Sequence, residues 1–270
     1  MAMKLTTGKR IAETSSKGNQ EKWREGGRWY KLDLFGYEGL AETVASRLLE
    51  HTNLRELGFS FVPYRMEQLE VHGRKRTGCS SPDFLQEGEA ILTLAELFRK
   101  GVGTDWQAQV TRLPNLASRV RWMADTTRQL TGLDRFGEYL TALFEADMLF
   151  GNEDRHLNNI AVLRRDGSFA YCPFFDFGAG LLSNTRDFPL DIVPKALVGQ
   201  LRAQPLGTLF ARQVHAAQGE FGPQLRWDFT AADVAAALEE ALPYYAQRDR
   251  GLLRDRVEWC LKVQQRKLLS

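Results

Sequence analysis

The spacing of apolar residues along the chain changes period several times, and each change predicts an element. The stretch EKWREGGRWYKLDLF holds two short strand-like runs around Gly26 and Gly27. That pair suits a tight hairpin turn, because glycine takes positive φ without a Cβ clash. Residues 37–50 switch to a helical spacing, in which Leu40, Val44, Leu48 and Leu49 make one apolar stripe. FSFVPYRMEQLEV returns to extended character, with Pro63 best placed at a strand entry or on an edge strand. Beyond about residue 82 the pattern is mostly helical. EAILTLAELF and NLASRVRWMADTTRQL both predict helix, with Gly101 and Gly103 between them. Phe136, Tyr139, Leu140, Leu143 and Phe144 then follow the i, i+3, i+4, i+7, i+8 rule, which predicts a core helix ending near Phe150.

Immediately after that helix comes GNEDRHLNNIAVL, with an aspartate, a histidine and two asparagines within six residues. IAVLRR and SFAYCPFF follow as two strand-like runs about the turn dipeptide Asp166, Gly167, which predicts a second hairpin. Such a hairpin brings its ends together. Asp154 and Asn159 precede its first strand and Asp176 closes its second, so residues far apart in sequence converge at one end of the ribbon. Residues 184–194 are interrupted by proline and read as irregular. TAADVAAALEEAL opens with Thr230 and Asp233 in a capping-box spacing, and a final helix carries Leu253, Val257, Cys260 and Leu261 on one face. There is no internal repeat and no low-complexity segment.

Composition narrows the class without naming it. The 270 residues suffice for one large domain or two lobes, and 43% hydrophobic with 26% charged residues is ordinary for a globular protein. Thirty-six Lys and Arg against thirty-four Asp and Glu leave a formal charge of +2, too small an excess to argue for nucleic acid or a membrane surface. The local run GRKR, residues 73–76, is expected to be a solvated turn. Cys79, Cys172 and Cys260 form no metal-ligand spacing and read as buried thiols in a reducing compartment. The most apolar helical stretch carries Glu145 and Asp147, and no signal-like segment opens the chain, so a soluble, cytoplasmic protein is expected.

The chemistry lies in the polar residues at the ends of these elements. Asp154, Asn159 and Asp176 are hard oxygen ligands, which suit Mg²⁺ or Mn²⁺ rather than zinc. Phosphoryl transfer needs such a set, together with a cation and backbone N–H groups for the phosphates. Lys31 stands on a strand two steps beyond Trp29, where an inward-facing lysine is costly unless paired. Glu42 on the following helix is one partner for it, and Glu38, four residues earlier on the same face, is the competitor. The polar loop ETSSKGNQEKW around Gly18 precedes a strand, and its N–H groups could form a nest for phosphate. Each feature alone has a bland counterpart: a solvent-facing lysine, a turn rich in Asn, a structural histidine at His156. Their order, from Gly loop through strand Lys, helix Glu, D-x-H-x-x-N and hairpin to Asp-Phe-Gly, is the order kinase folds use.

On those residues the chain resembles the HipA-like bacterial serine/threonine kinases. SSKGNQEK looks like their S-x-x-G-x-Q-x-K phosphate loop, DRHLNN like their D-x-H-x-x-N catalytic loop, and PFFD like their P-x-Y-D metal motif with Phe175 for the tyrosine. ETVASRLL resembles a family helix segment that favours Glu42 over Glu38 as the partner of Lys31. The match runs from Ser15 to Asp176 and is similar in particular to the short stand-alone CtkA-like subgroup, since the family's usual N-terminal subdomain has no room before Ser15.

The resemblance implies an α+β, bilobal protein-kinase-like fold, with a mostly β N-lobe over residues 1–83 and a mostly helical C-lobe over 84–270. It implies ATP and Mg²⁺ as cofactors, transfer to a Ser or Thr hydroxyl of a protein, and an antitoxin as a partner. Asp154 would orient or deprotonate the acceptor, Asn159 and Asp176 would hold the metal, and Lys31 would contact the phosphates. His156 would brace the loop or stabilise transferred charge, and Arg155 is either a brace or a solvated side chain. Ser15, Ser16, Lys17, Gly18, Asn19 and Gln20 would cradle phosphate, and Ser15 or Ser16 would be autophosphorylated. The family's E-R-[FY]-D hinge wording is absent. YRMEQLEV stands in its place, which puts the adenine contact around Glu67, Gln68 and Leu69. The same DRHLNN and DFG also resemble phosphoinositide 3- and 4-kinases. The segment AGLLSNTRDFPLDIVPK offers only Arg186 and Lys195 for an anionic headgroup, which favours a protein acceptor. A non-catalytic nucleotide-binding or toxin-type module is the third reading.

Overall fold

The computed structural model describes residues 4–5 and 21–269. Five strands form one sheet: β1 (Lys4–Leu5), β2 (Lys22–Glu25), β3 (Arg28–Leu32), β4 (Arg65–Val71) and β5 (Arg74–Pro82), in the order β1-β4-β5-β3-β2. Only β1 runs parallel to its neighbour, β4. The β2–β3 hairpin turns at Gly26 and Gly27, both at positive φ (57° and 71°), as their sequence requires. The β4–β5 hairpin turns at His72 and Gly73 with φ of 52° and 72°. β5 is the strand that apolar spacing does not reveal. The run GRKR is its turn and its charged outer half, not a free loop, and the buried half is made of Gly78, Cys79, Ser80 and Ser81.

Side chains alternate across a strand. Tyr30, Leu32 and Leu69 are therefore buried together on one face, and Lys31 is turned to the other. That second face is covered by α1 (Glu38–Leu49), in which every residue except Arg47 is buried. The approach is close because two glycines meet. A Cβ on Gly39 of α1 would lie 2.9 Å from the backbone of Gly78 on β5, and a Cβ on Gly78 would collide with the carbonyl of Lys31. Larger residues at either position would lift the helix off the sheet.

The rest of the chain is mostly helical: α2 (Leu94–Gly101), α3 (Trp106–Thr111), α4 (Leu116–Thr131), α5 (Phe136–Phe150), α6 (Pro194–Leu197), α7 (Phe210–Phe221), α8 (Ala231–Ala241) and α9 (Arg250–Leu268). α5 is buried at every position but Glu138 and packs against α4, α7 and α9, so its continuous apolar surface has a helix on each side. Glu145, inside this helix, accepts hydrogen bonds from Gln218 Nε2 and from the backbone N–H groups of Gln224 and Leu225, which explains a carboxylate in an apolar run. α8 opens with the expected capping box between Thr230 and Asp233.

A second, antiparallel sheet has the order β6-β7-β8, from β6 (Ala90–Thr93), β7 (Ala161–Arg165) and β8 (Ser168–Tyr171). β7 and β8 are the expected hairpin, turning at Asp166 and Gly167. β6 corrects the helical reading of EAILTLAELF. Ala90–Thr93 of that run pair with β7, and the helix begins only at Leu94, where Thr93 Oγ1 accepts from Glu96 N. The two parts of the molecule meet at residues 60–62 and 174. Val62 N donates to Phe174 O at 2.8 Å and Phe174 N to Ser60 O at 2.7 Å. Cys79, Cys172 and Cys260 are free and buried. Among the described residues no helix is long and apolar enough to cross a membrane.

Candidate active site

Lys31 is the centre of the site. Its Nζ lies 2.6 Å from Glu42 Oε1 on α1 and 2.6 Å from Asp176 Oδ1 beyond β8, and 5.0 Å from the Tyr64 ring centroid. Glu42 Oε2 accepts from Phe177 N at 2.8 Å, so α1 holds both the lysine and the backbone beside Asp176. The competitor, Glu38, is engaged elsewhere and accepts from the N–H groups of Leu34, Phe35 and Gly36. Burial opposes every charge in this triad. It lowers Lys31, but the Asp176 and Glu42 carboxylates more than reverse that and hold the ammonium well above the usual lysine value. For Asp176 burial pushes upward, and Lys31 overcomes it, leaving the carboxyl well below the usual range. For Glu42 burial dominates and raises it despite Lys31. Asp176 has φ 66°, a left-handed conformation that costs a non-glycine residue energy and clusters at functional sites.

The D-x-H-x-x-N loop is built on a buried ion pair. Arg155 is fully buried, pairs with Asp147 of α5 at 2.9 Å, and donates through Nη1 to the carbonyls of Asn159 (3.0 Å) and Phe175 (2.6 Å). Arg155 is thus a brace rather than a solvated side chain, and it ties the loop to the segment just before Asp176. Asn152 Nδ2 adds a bond to Asp147 at 2.7 Å and one to Asp176 O at 3.3 Å. Asp154, by contrast, leaves 55% of its side chain exposed, and burial of the remainder raises its carboxyl above the usual range. His156 Nε2 stands 3.6 Å from Asp154 Oδ1, while its Nδ1 is enclosed with no hydrogen-bond partner among the described residues. Asn159 is 4% exposed and donates from Nδ2 to Asp154 O at 2.8 Å, so its amide oxygen is the atom left for a cation.

Two cavities meet at Lys31 and Asp176. The larger, about 820 Å³, runs under β3 and β5 between Trp29, Tyr64, Ser81, Phe84, Leu85 and Phe175, and reaches Trp106 of α3. The smaller, about 300 Å³, is bounded by Asp154, Glu153, Phe35, Asn184 and Asp187. Lys22 lines both. Its strand position is directly opposite Lys31, and among the described residues no carboxylate pairs with it. Burial lowers its pKa, with Asp176 acting against and Lys31 adding to the effect. The last lysine of SSKGNQEK is therefore a cation at the cleft with no ion pair among the described residues.

The expected adenine contacts need correction. Glu67, Gln68 and Leu69 lie within β4 and line neither cavity. Glu67 accepts from Ser80 and Arg65, Gln68 donates to Arg76 O, and Leu69 is buried on the opposite face of the sheet. The connector leaving β5, with Ser81, Phe84 and Leu85, forms the cavity wall instead. The misplacement follows from missing β5, since the connector then begins one strand too early. Ser15, Ser16, Lys17, Gly18, Asn19 and Gln20 lie outside the described residues. A divalent cation fits the donor chemistry of Asp176 and Asn159, which is oxygen only. Among the described residues no cluster of three or more Asp, Glu, His or Cys could ligate a metal, so such an ion would complete its shell with phosphate and water, as Mg²⁺ commonly does.

No protein-family model and no curated protein sequence matches this chain. Solved structures do. The Helicobacter pylori proinflammatory kinase CtkA superposes with a TM-score of 0.64 over 97% of this chain and 96% of its own, at 13% identity. The fold is that of CtkA. HipA of Shewanella oneidensis MR-1, solved in complex with HipB and operator DNA, gives a TM-score of 0.52 at 14% identity, covering 95% of this chain and 65% of HipA. The expected α+β kinase-like architecture of the HipA-like group, sheet-rich first and helical afterwards, is met at the level of fold.

Proposed function

We propose that the chain is an ATP- and Mg²⁺-dependent phosphotransferase that moves the γ-phosphoryl group to a Ser or Thr hydroxyl of a protein. The observation that supports this reading most is the meeting of Lys31, Glu42 and Asp176 at 2.6 Å contacts, with Asp154 across the same small cavity. Lys31 and Lys22 would take the α-, β- or γ-phosphate oxygens, and Trp29, Phe84, Leu85 and Phe175 offer an apolar slot for the base. Asp176 and the Asn159 amide oxygen would hold Mg²⁺, which supplies charge neutralisation along the phosphates when bound. Asp154 would accept the acceptor's hydroxyl proton as the oxygen bonds to the γ-phosphorus and the bond to the β-phosphate oxygen breaks, releasing ADP. Arg155 keeps that carboxylate and Asn159 in register.

A protein acceptor is favoured over a phosphoinositide because residues 179–195 hold only Arg186 and Lys195 as cations, and Arg186 lies over the Phe35 ring at 4.2 Å. Autophosphorylation of Ser15 or Ser16 and pairing with an antitoxin belong to the same proposal. Incubation with γ-labelled ATP and Mg²⁺, with protein and lipid acceptors in parallel, tests it. Label is expected on Ser or Thr of protein, including the chain's own phosphate loop, and absent with Asp154→Asn. Label on lipid alone, or equal transfer by the variant, would overturn the assignment.

A further inference from the structure

The phosphoryl-transfer reading makes no use of residues 240–250, yet they grip the helix that carries Glu42. A helix leaves its first N–H groups without intrahelical acceptors, and they are normally met by a cap. The N-cap of α1, Tyr37, provides none from its side chain. Two residues from elsewhere replace it. Asp33 Oδ1, just past β3, accepts from Gly39 N at 2.6 Å, and the Tyr245 hydroxyl oxygen accepts from Leu40 N at 3.2 Å. The Tyr245 hydroxyl donates in turn to Asp33 Oδ2 at 2.7 Å, which closes a ring around the first turn. Tyr245 is itself anchored, since Arg250 Nε donates to its carbonyl at 3.0 Å and Thr77 of β5 donates to the neighbouring Tyr244 carbonyl at 3.0 Å. At the other end of α1, Arg47 makes a two-bond pair with Glu240 of α8, each bond 2.9 Å.

We infer that Tyr245, acting with Asp33, is a positioning residue that fixes the seat of α1 and through it the contact of Glu42 with Lys31 and the backbone of Phe177. The inference rests on the phosphotransferase reading for its catalytic consequence, not for the tether itself. Glu42 follows Leu40 by two residues, and the Gly39–Gly78 contact leaves no slack under the first turn, so a shift there moves Glu42 directly. Asp33 is faced by Glu38 of α1, by Arg76 and Cys79 of β5, and by Tyr245. Burial pushes its carboxyl up to about 7 in spite of the bonds from Tyr245 and Gly39. Ionised Asp33 accepts both bonds, whereas a protonated carboxyl offers a hydrogen where Tyr245 donates one. The seat therefore tightens as pH rises through neutrality. Removing the tyrosine hydroxyl deletes a bond that favours the carboxylate, so the transition moves to higher pH.

Hydrogen exchange by mass spectrometry on the full chain, with Tyr245→Phe and Asp33→Asn, tests the tether without requiring turnover. In Tyr245→Phe the protection of the Gly39 and Leu40 amides above neutrality is expected to fall about five- to tenfold, the worth of one net hydrogen bond. ATP turnover by that variant is expected to lose kcat more than it changes KM, with its neutral-pH limb displaced upward, while Asp33→Asn removes the limb. Unchanged protection of α1 in Tyr245→Phe, or an unmoved limb, would overturn the inference. If Tyr245→Phe does not fold, Arg250→Gln, which frees the tyrosine backbone, carries the same expectation and the same overturning result. Lost α1 protection in a protein that never turns over ATP would support the tether and sink the reaction.

Discussion

At the scale of single residues, the site is a problem of buried charge. One ammonium, on Lys31, serves two carboxylates, the buried Glu42 and the partly exposed Asp176, so removing it is worse than removing either partner. Lys31→Met is expected to cost about 3–5 kcal/mol in urea unfolding, as when one member of a buried ion pair is deleted. Asp176→Asn, which leaves Lys31 paired with Glu42, should lose less stability than Lys31→Met and reduce turnover about 10²- to 10³-fold, the usual cost of losing one transition-state contact. Similar stability losses for the two variants would contradict this division of roles. The pH dependence follows by sign. Asp176 is held below its ordinary value of 3.8, so its stabilisation is present above that value and lost as pH falls through the depressed one. Lys31 is held above 10.5, so its share is present below that value and lost only as pH rises through the raised one. The pair is thus constant across neutrality. Asp33 differs, because its raised carboxyl favours the folded state when protonated. Stability should fall as pH rises from the ordinary value of 3.8 to about 7, and Asp33→Asn should flatten that slope in denaturation followed against pH. Lys31, Glu42, Asp154, Asn159 and Asp176 could be singled out in sequence because chemistry demands their type and order. Tyr245 and Asp33 could not, since their roles arise from a contact 212 residues apart in the chain, and Lys22, although it closes SSKGNQEK, shows its place opposite Lys31 only through strand register.

Among elements, those with a strong local signal were legible and those held by tertiary contact were not. α5 and the hairpins at Gly26, Gly27 and at Asp166, Gly167 follow from periodicity and turn chemistry. β5 was hidden because its buried half is Gly, Cys and Ser, small residues required where α1 and Lys31 crowd the strand. β6 was hidden because its apolar residues run on into α2 without a break in composition. The one punctuation mark, Thr93 followed three residues later by Glu96, is a helix start. The D-x-H-x-x-N loop is likewise an element held from outside itself. Arg155→Met would leave Asp147 buried without its cation, and a loss of about 3–5 kcal/mol is expected, with the loop carrying Asp154 and Asn159 released. Unfolding curves and the susceptibility of residues 152–159 to protease check both parts. A neutral change would mean that the brace is dispensable.

Across the whole molecule, the sheet-rich and helical parts meet at Lys31 and Asp176, and the same architecture in CtkA at 13% identity shows how little sequence the fold needs. The arrangement also explains how a cleft can be read from a few motifs. Its wall is set by β5 and its connector, which carry no motif, while its charged floor is set by residues that do. If the two cavities take one nucleotide, MgATP should stabilise the entire chain, by about 2.7 kcal/mol at a hundredfold excess over Kd. The most direct measurement maps which lysines react with an acyl-phosphate derivative of ATP, identified by mass spectrometry with and without competing MgATP. Lys22 is expected to be acylated first, because burial lowers its pKa and Asp176 offsets that only in part, with Lys31 slower, and MgATP should suppress both. Acylation confined to other lysines, or labelling of Lys22 and Lys31 that MgATP leaves unchanged, would contradict a nucleotide site at this cleft.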